Sequence, residues 1–431
     1  MPARPLYRIQ AELDPEAMSL QYREELQIPW DAEETRILFF HLYGNKFRGD
    51  HRAENAEIRI LSISDEKGRS IPFSLEEEDQ ILRVELPKAL KRGQVCVLYF
   101  EGSANIPLMS SEYGHGRDGE IQMGMFYPQL AVYDQNGWDN EKSQRNGDGR
   151  HAGTADFEFS VTAPENWQIL CNGDDVSRDT KNGAGQWQFR APERRDLVFC
   201  AFPDYRLRER EVDGVLLRGA FNARAPEAVT DAVMDAAEQA LRFYSRKLGP
   251  YPYRTLTVTN TAWSANAAYS KEYAGLVTVA LGEELSTDQR LAAFHEIAHQ
   301  WFYALVGNDE NREPWLDESF ATFFAFLCLD ENDRQEWWCF LQRIGESFPA
   351  EKIDRPCDEV RDYILVIYYR GAWLLKQVMD CLGEETFCER LSDYCEQMAF
   401  QNASTEDFMR LVIRDDPALL ALAEEYLSVL P

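Results

Sequence analysis

The chain has 431 residues, long enough for two or three domains with substantial cores. Its 74 acidic residues outnumber 45 basic ones and give a formal net charge of -29, which argues against nucleic acid as a partner and against adsorption on anionic membranes. With 45% hydrophobic residues, a mean hydropathy of -0.46 and no apolar run near the ~18 residues of a membrane span, it reads as a soluble protein with no transmembrane helix.

The opening residues, MPARPLYRIQAELD, contain no apolar signal segment and pass directly into alternating sequence. From Met1 to about Tyr205 the pattern predicts an antiparallel β domain (1-205). Strands are expected over Tyr7 to Leu13, Arg36 to Leu42, Glu57 to Ile63, Ile81 to Leu86 and Val95 to Phe100, separated by polar turns. The interval from Ser103 to Asp118 is rich in Gly, Ser and polar residues and reads as a loop. FYPQLAVYDQNGW follows, then further strands in ADFEFSVTAP and DLVFCAF.

After about Arg206 the composition changes (206-431). A strand in GVLLRGAF leads to a helical stretch, AVTDAVMDAAEQALRFYSRKLG, stopped by Gly249 and Pro250. YRTLTVTNT and AGLVTVA read as strands. A helix follows, with Ser286 and Gln289 as a capping box and Gly307 as its stop, and from Pro314 onward nearly everything is helical. The nine cysteines are scattered without a CxxC pair, which suggests reduced core thiols in a cytoplasmic protein.

The strongest chemical signal is FHEIAHQWF. His295 and His299 stand four residues apart, so a helix puts both imidazoles on one face, one turn apart. Two neutral histidines at this spacing can hold one tetrahedral zinc ion, and Glu296 between them can act as general base on a water at the metal. All six histidines lie at or before position 299, so a nearby downstream third ligand has to be a carboxylate. Glu318 is the best placed. It starts a strongly apolar helix, PWLDESFATFFAFL, where an unpaired carboxylate is costly to bury. Asp317 points about 100° away, so only one of the two faces the histidines.

With these residues in place, the sequence resembles the aminopeptidase N family of zinc metallopeptidases, the gluzincins, in the spacing of His295, His299 and Glu318 and in their HQWF and WLDESFA flanks. FYPQLAVYD and RFYSRKLGPYPY extend the likeness upstream. The resemblance implies an α+β protein: an N-terminal, saddle-like antiparallel β-sheet domain, then a thermolysin-like, mainly helical catalytic domain with one zinc ion per chain. Tyr368, in Tyr368-Tyr369-Arg370-Gly371, matches the family's catalytic tyrosine, with arginine where the family has lysine. It would stabilise the oxyanion. Aligned on Gly275-Leu276-Val277, Glu272 matches the glutamate that grips the substrate's α-amino group, although Tyr269, Ser270, Lys271 and Tyr273 around it depart from the family's string. If the segment is extended, Lys271 and Glu272 point to opposite faces. Glu120 and Gln122 are candidates for a second amine-binding group.

The implied function is a zinc aminopeptidase acting on peptide substrates. Glu296 serves as base, Glu272 receives the substrate's amino end, and the strand from Gly275 to Ala280 pairs with the peptide backbone. The altered surroundings of Glu272 leave open an endopeptidase, or a peptidase with non-standard recognition of the N-terminus. A catalytically silent peptide-binding scaffold is the reading from another class. The family's usual C-terminal helical domain has no counterpart before Pro431, which implies a more open cleft, or one closed by a second subunit in a homo-oligomer.

Overall fold

A computed structural model describes residues 4–48, 56–108, 112–117, 119–144, 146–181, 183–261, 269–282, 287–348 and 351–428. The alternating sequences of the N-terminal domain become strands whose inward residues form one core, from Tyr7 to Ala201. Strand Ser19–Trp30 shows the principle: Leu20, Tyr22, Leu26, Ile28 and Trp30 face inward at every second position. It lies in a seven-stranded sheet between Leu6–Asp14 and Gln94–Asn105.

Two expectations need correction here. The domain is not purely antiparallel, because Leu6–Asp14 pairs in parallel with Ala155–Pro164. A parallel neighbour needs a long crossover, and the intervening strands supply it. The interval from Ser103 to Asp118 is not simply a loop. The preceding strand runs to Asn105, and Tyr113–His115 forms an edge strand of a four-stranded sheet, anchored by fully buried Tyr113.

The second half builds a five-stranded sheet in the order Tyr205–Val212, Val215–Asn222, Thr255–Asn260, Leu276–Val279 and Lys271–Tyr273. Helix α1 (Glu227–Leu248) ends where Gly249 adopts φ 102°, as expected of a glycine stop. Helices α2 (Thr287–Ala298) and α3 (Trp315–Leu327) follow and pack against each other. Helix α3 is buried on every side, as its nearly unbroken apolar sequence requires. A small third core, including Leu170, Cys200, Phe202, Tyr273 and Leu276, joins the β domain to the second half.

The expected end of α2 is also corrected. The helix stops at Ala298, and Gly307 lies well beyond it, donating its N–H to Gln401 O at 2.9 Å. Glycine is required there by packing: a Cβ would lie 2.2 Å from Arg195 Cζ. The proposed cap residue Ser286 lies outside the described residues. All nine cysteines are free, but Cys339 and Cys381 are exposed and Cys96 is half-buried, so only six are core thiols.

Candidate active site

His295 lies in the last turn of α2, and His299 sits one residue past its end, its N–H still reaching His295 O at 3.3 Å. The helical geometry therefore persists through both histidines. Each ring is held by its Nδ1 side: His299 Nδ1 is 3.0 Å from Phe302 O, and His295 Nδ1 is 3.5 Å from Thr322 Oγ1. Such contacts fix which nitrogen is presented to the site. The two Nε2 atoms lie 3.1 Å apart.

Glu318, in the first turn of α3, points a carboxylate oxygen at both: Oε2 is 3.1 Å from His295 Nε2 and 3.5 Å from His299 Nε2. Burial alone would push the Glu318 carboxyl up, but hydrogen bonding to the two histidines holds it down, at about 2. His299 is likewise disfavoured as a cation by burial, yet Glu318 and its acidic neighbours raise it well above the ordinary histidine range. Two nitrogens and one carboxylate oxygen converging within 3.5 Å of one another suit a zinc ion, and protons occupy the same atoms when no metal does. The His295 side chain is 17% exposed against 1% for His299 and 5% for Glu318, so the triad opens on that side. Asp317 faces elsewhere, accepting from Asn308 Nδ2 at 3.1 Å.

Glu296 is buried, and its Oε2 has no hydrogen-bond partner among the described residues. Burial pushes its carboxyl up, opposed by His295 and His299. Oxygens of Glu296 and Glu272 and a nitrogen of His299 lie within 4.8 Å of one another, so all three face one small volume. Tyr368 arrives from a different direction. It sits in a π-helical segment, Ile364–Arg370, which runs into helix Gly371–Leu382, and its hydroxyl donates to Glu318 Oε1 at 2.6 Å. Its ring stacks on His295 at 5.7 Å. Burial and the Glu318 charge push the phenol well up, keeping it a donor.

Three expectations change. Glu272 lies on an edge strand, yet it is 3% exposed and bonded to the Arg150 guanidinium. The long side chain of Lys271 reaches the same charged network, bonding Asp148, which itself lies 3.9 Å from Arg150. Strand alternation therefore does not keep the charges of Lys271 and Glu272 apart. Gly275 does not offer its backbone to a peptide: its N–H donates to Gln300 Oε1 at 2.8 Å, and Leu276–Val279 has a partner strand on each edge. Among the described residues, Lys271–Tyr273 is one of this sheet's two edge strands, Tyr205–Val212 being the other. Of the two candidates for a second amine-binding group, Gln122 donates to Tyr273 Oη at 2.8 Å, and Glu120 is buried in the β domain.

Sequence reasoning missed Arg150, Asp148, Glu310 and Gln300. Gln300 directly follows the second histidine and ties it to the Gly275 turn, so HQ was a usable signal. Arg150, in GDGRH, carries no motif.

Residues 234–419 match the model of the peptidase family M1 domain. Aminopeptidase M1 of Arabidopsis thaliana is 25% identical over 436 residues, spanning 93% of this chain and 47% of that protein. Aminopeptidase M1-A of Oryza sativa subsp. japonica is 37% identical over 134 residues, 28% of this chain and 15% of that protein. The chain thus spans less than half the length of these curated relatives. Among solved structures, an M1 zinc metallopeptidase from Deinococcus radiodurans superposes with a TM-score of 0.75 at 19% identity, covering 100% of this chain and 94% of that one. A mutant of an M1 zinc metallopeptidase from the same organism, bound to a Tyr-ser-ala substrate, gives 0.74 at 18% identity, with 100% of this chain and 95% of that one covered.

Proposed function

We propose, from the premise that residues 234–419 form a peptidase family M1 domain, that this protein is a zinc-dependent aminopeptidase that removes single residues from the amino ends of peptides. The observation that carries the reading is the convergence of His295, His299 and Glu318 beside a buried Glu296 oxygen with no partner among the described residues. The names of the relatives support the aminopeptidase assignment. We place the division of the chain at residues 205/206: the first core ends with Ala201, and the second begins with Val212.

His295, His299 and Glu318 would hold the zinc. When bound, zinc would supply Lewis-acid polarisation of the scissile carbonyl and acidify a water. Glu296 takes that water's proton on its free carboxylate oxygen and delivers it to the departing amine. Tyr368 turns its hydroxyl from Glu318 to the developing oxyanion, a short movement because the group already borders the triad. Glu272 receives the substrate's ammonium group beside His299 and Glu296, and the peptide backbone lies along the Lys271–Tyr273 edge. In this reading the physiological location is cytoplasmic. Among the described residues no helix is long and apolar enough to cross a membrane.

The decisive experiment is metal analysis with the Glu296→Gln variant. One zinc per chain is expected in both proteins, with kcat on an unblocked aminoacyl substrate lowered by about 10²–10⁴-fold in the variant. Undiminished hydrolysis by Glu296→Gln would sink the assignment.

A further inference from the structure

Glu272 is the residue through which the proposed site meets a substrate's amino end, and it is not held by its own strand. That strand, Lys271–Tyr273, has three residues and forms the sheet edge. What holds the carboxylate is Arg150, contributed by the β domain, whose Nη2 bonds Glu272 Oε1. Arg150 is 3% exposed, and its remaining contacts are equally specific. Its backbone N–H donates to Glu310 Oε2 at 2.9 Å, its Nε lies 3.3 Å from the same oxygen, and its guanidinium sits over the Tyr303 ring at 4.5 Å. Glu310 belongs to the connection between α2 and α3, the two helices that carry the metal ligands. One guanidinium therefore joins the β domain, the amine-binding edge strand and the ligand-bearing connection.

Lys271 cannot replace it, since its ammonium is engaged by Asp148 and lies 3.5 Å from Glu112. With one Glu272 oxygen fixed by Arg150, the carboxylate keeps a single orientation in which it shares a volume with His299 and Glu296. No hydrogen bond to the other Glu272 oxygen forms among the described residues.

From this geometry we infer that Arg150 is the positioning residue for substrate-end recognition: it fixes Glu272 so that one carboxylate edge remains for the ammonium group of a free peptide N-terminus. The inference rests on the reading that Glu272 receives that group. It makes the β domain a determinant of exopeptidase selectivity, although the catalytic groups all lie in the other half.

The test uses the full-length, zinc-loaded enzyme with matched free and N-acetylated peptides, and the variants Arg150→Gln, Arg150→Lys, Glu272→Gln and the Arg150→Gln/Glu272→Gln pair. Arg150→Gln is expected to raise KM for the free peptide about 10–100-fold while kcat and zinc content change little, as for other residues that orient a contacting group. Arg150→Lys recovers part of the loss. In the Glu272→Gln background the Arg150 substitution adds nothing further, because both act through one contact. An unchanged KM in Arg150→Gln, an equal and additive effect in both backgrounds, or a joint fall in zinc content, kcat and melting temperature would each overturn the role. A KM rise in Glu272→Gln alone overturns the inference and leaves amine recognition standing. Equal cleavage of free and acetylated peptides by the unsubstituted enzyme removes the underlying reading and the inference with it.

Discussion

Tyr368 allows a test in which two physical roles give different numbers. Its hydroxyl is bonded at 2.6 Å to Glu318 Oε1, the carboxylate oxygen turned away from the histidines. Tyr368→Phe removes only that hydroxyl and keeps the ring stacked on His295. If the phenol merely steadies Glu318, the loss falls on the metal: zinc affinity drops about 10–100-fold, and kcat at saturating zinc is preserved. If the hydroxyl moves to the oxyanion, the loss falls on the transition state. Removing one such donor costs about 2.7–4 kcal/mol, or roughly 10²–10³ in kcat, beyond any change in metal affinity. Both contacts come from one hydroxyl, so the ground-state bond to Glu318 reduces the net gain, and the lower end, ~10²-fold, is expected. The assay is kcat on an unblocked peptide at zinc concentrations shown to saturate each protein, with zinc affinity measured by chelator competition. An unchanged kcat under saturation would refute the oxyanion role and leave Tyr368 as a support for its ligand.

Glu318→Ala should remove stoichiometric zinc, since two histidines alone remain; metal analysis after dialysis that still finds one zinc per chain would exclude Glu318 as a ligand. Gly275→Ala should destabilise the fold by about 1–3 kcal/mol in denaturant titration, because Gly275 holds φ 91° and a Cβ there meets Asn172 O at 3.0 Å; unchanged stability would contradict this packing. The buried Asp139–His151–Asp309 cluster gives a pH prediction. Burial would lower the His151 pKa, but Asp139 at 2.9 Å and Asp309 at 3.6 Å raise it, while His41 and Arg312 border the same carboxylates. Its folded value therefore exceeds the unfolded one of about 6.5, so the contribution is complete below pH ~6.5 and disappears as pH rises through the folded value. Asp139 is held below the ordinary range, with burial opposed by His151, so its contribution is lost only on acidification. Stability is expected to decline above pH ~6.5, and His151→Asn should flatten that slope in chemical denaturation; an unaltered slope would exclude the pair as its source.

Much of the fold was legible because its determinants are local and periodic. The strand expected at Tyr7 to Leu13 alternates with period two and is found as Leu6–Asp14, and α1 carries its own glycine stop. Errors arose where a residue's meaning is set by a distant partner. Gly307 looks like a helix stop, yet its N–H answers Gln401 and its missing side chain makes room for Arg195. The parallel pairing of Leu6–Asp14 with Ala155–Pro164 joins segments with no shared local signal.

The same distinction separates the parts of the site. His295 and His299 stand one turn apart at the end of one helix with Glu296 beside the first, so spacing alone declares a shared imidazole face. Glu318 was inferred because an unpaired carboxylate in an apolar helix requires a partner. Glu272 carries no comparable local demand, and its neighbour Lys271 invited an argument from strand alternation that fails. A lysine side chain is long enough for its ammonium to join a network on the other side of the strand edge, as its bond to Asp148 shows. The cation that governs Glu272 instead comes from 122 positions earlier in the chain. Arg150 also bonds Glu310, 160 positions away, so two of its carboxylate partners come from the other half and join Asp148 and Asp196 of its own. In the proposed reading, substrate-end recognition is therefore assembled by tertiary structure, whereas the metal-ligand set is written into two helices. Variation in the β-domain loop around Arg150 should accordingly alter which peptide ends are accepted without disturbing the metal centre.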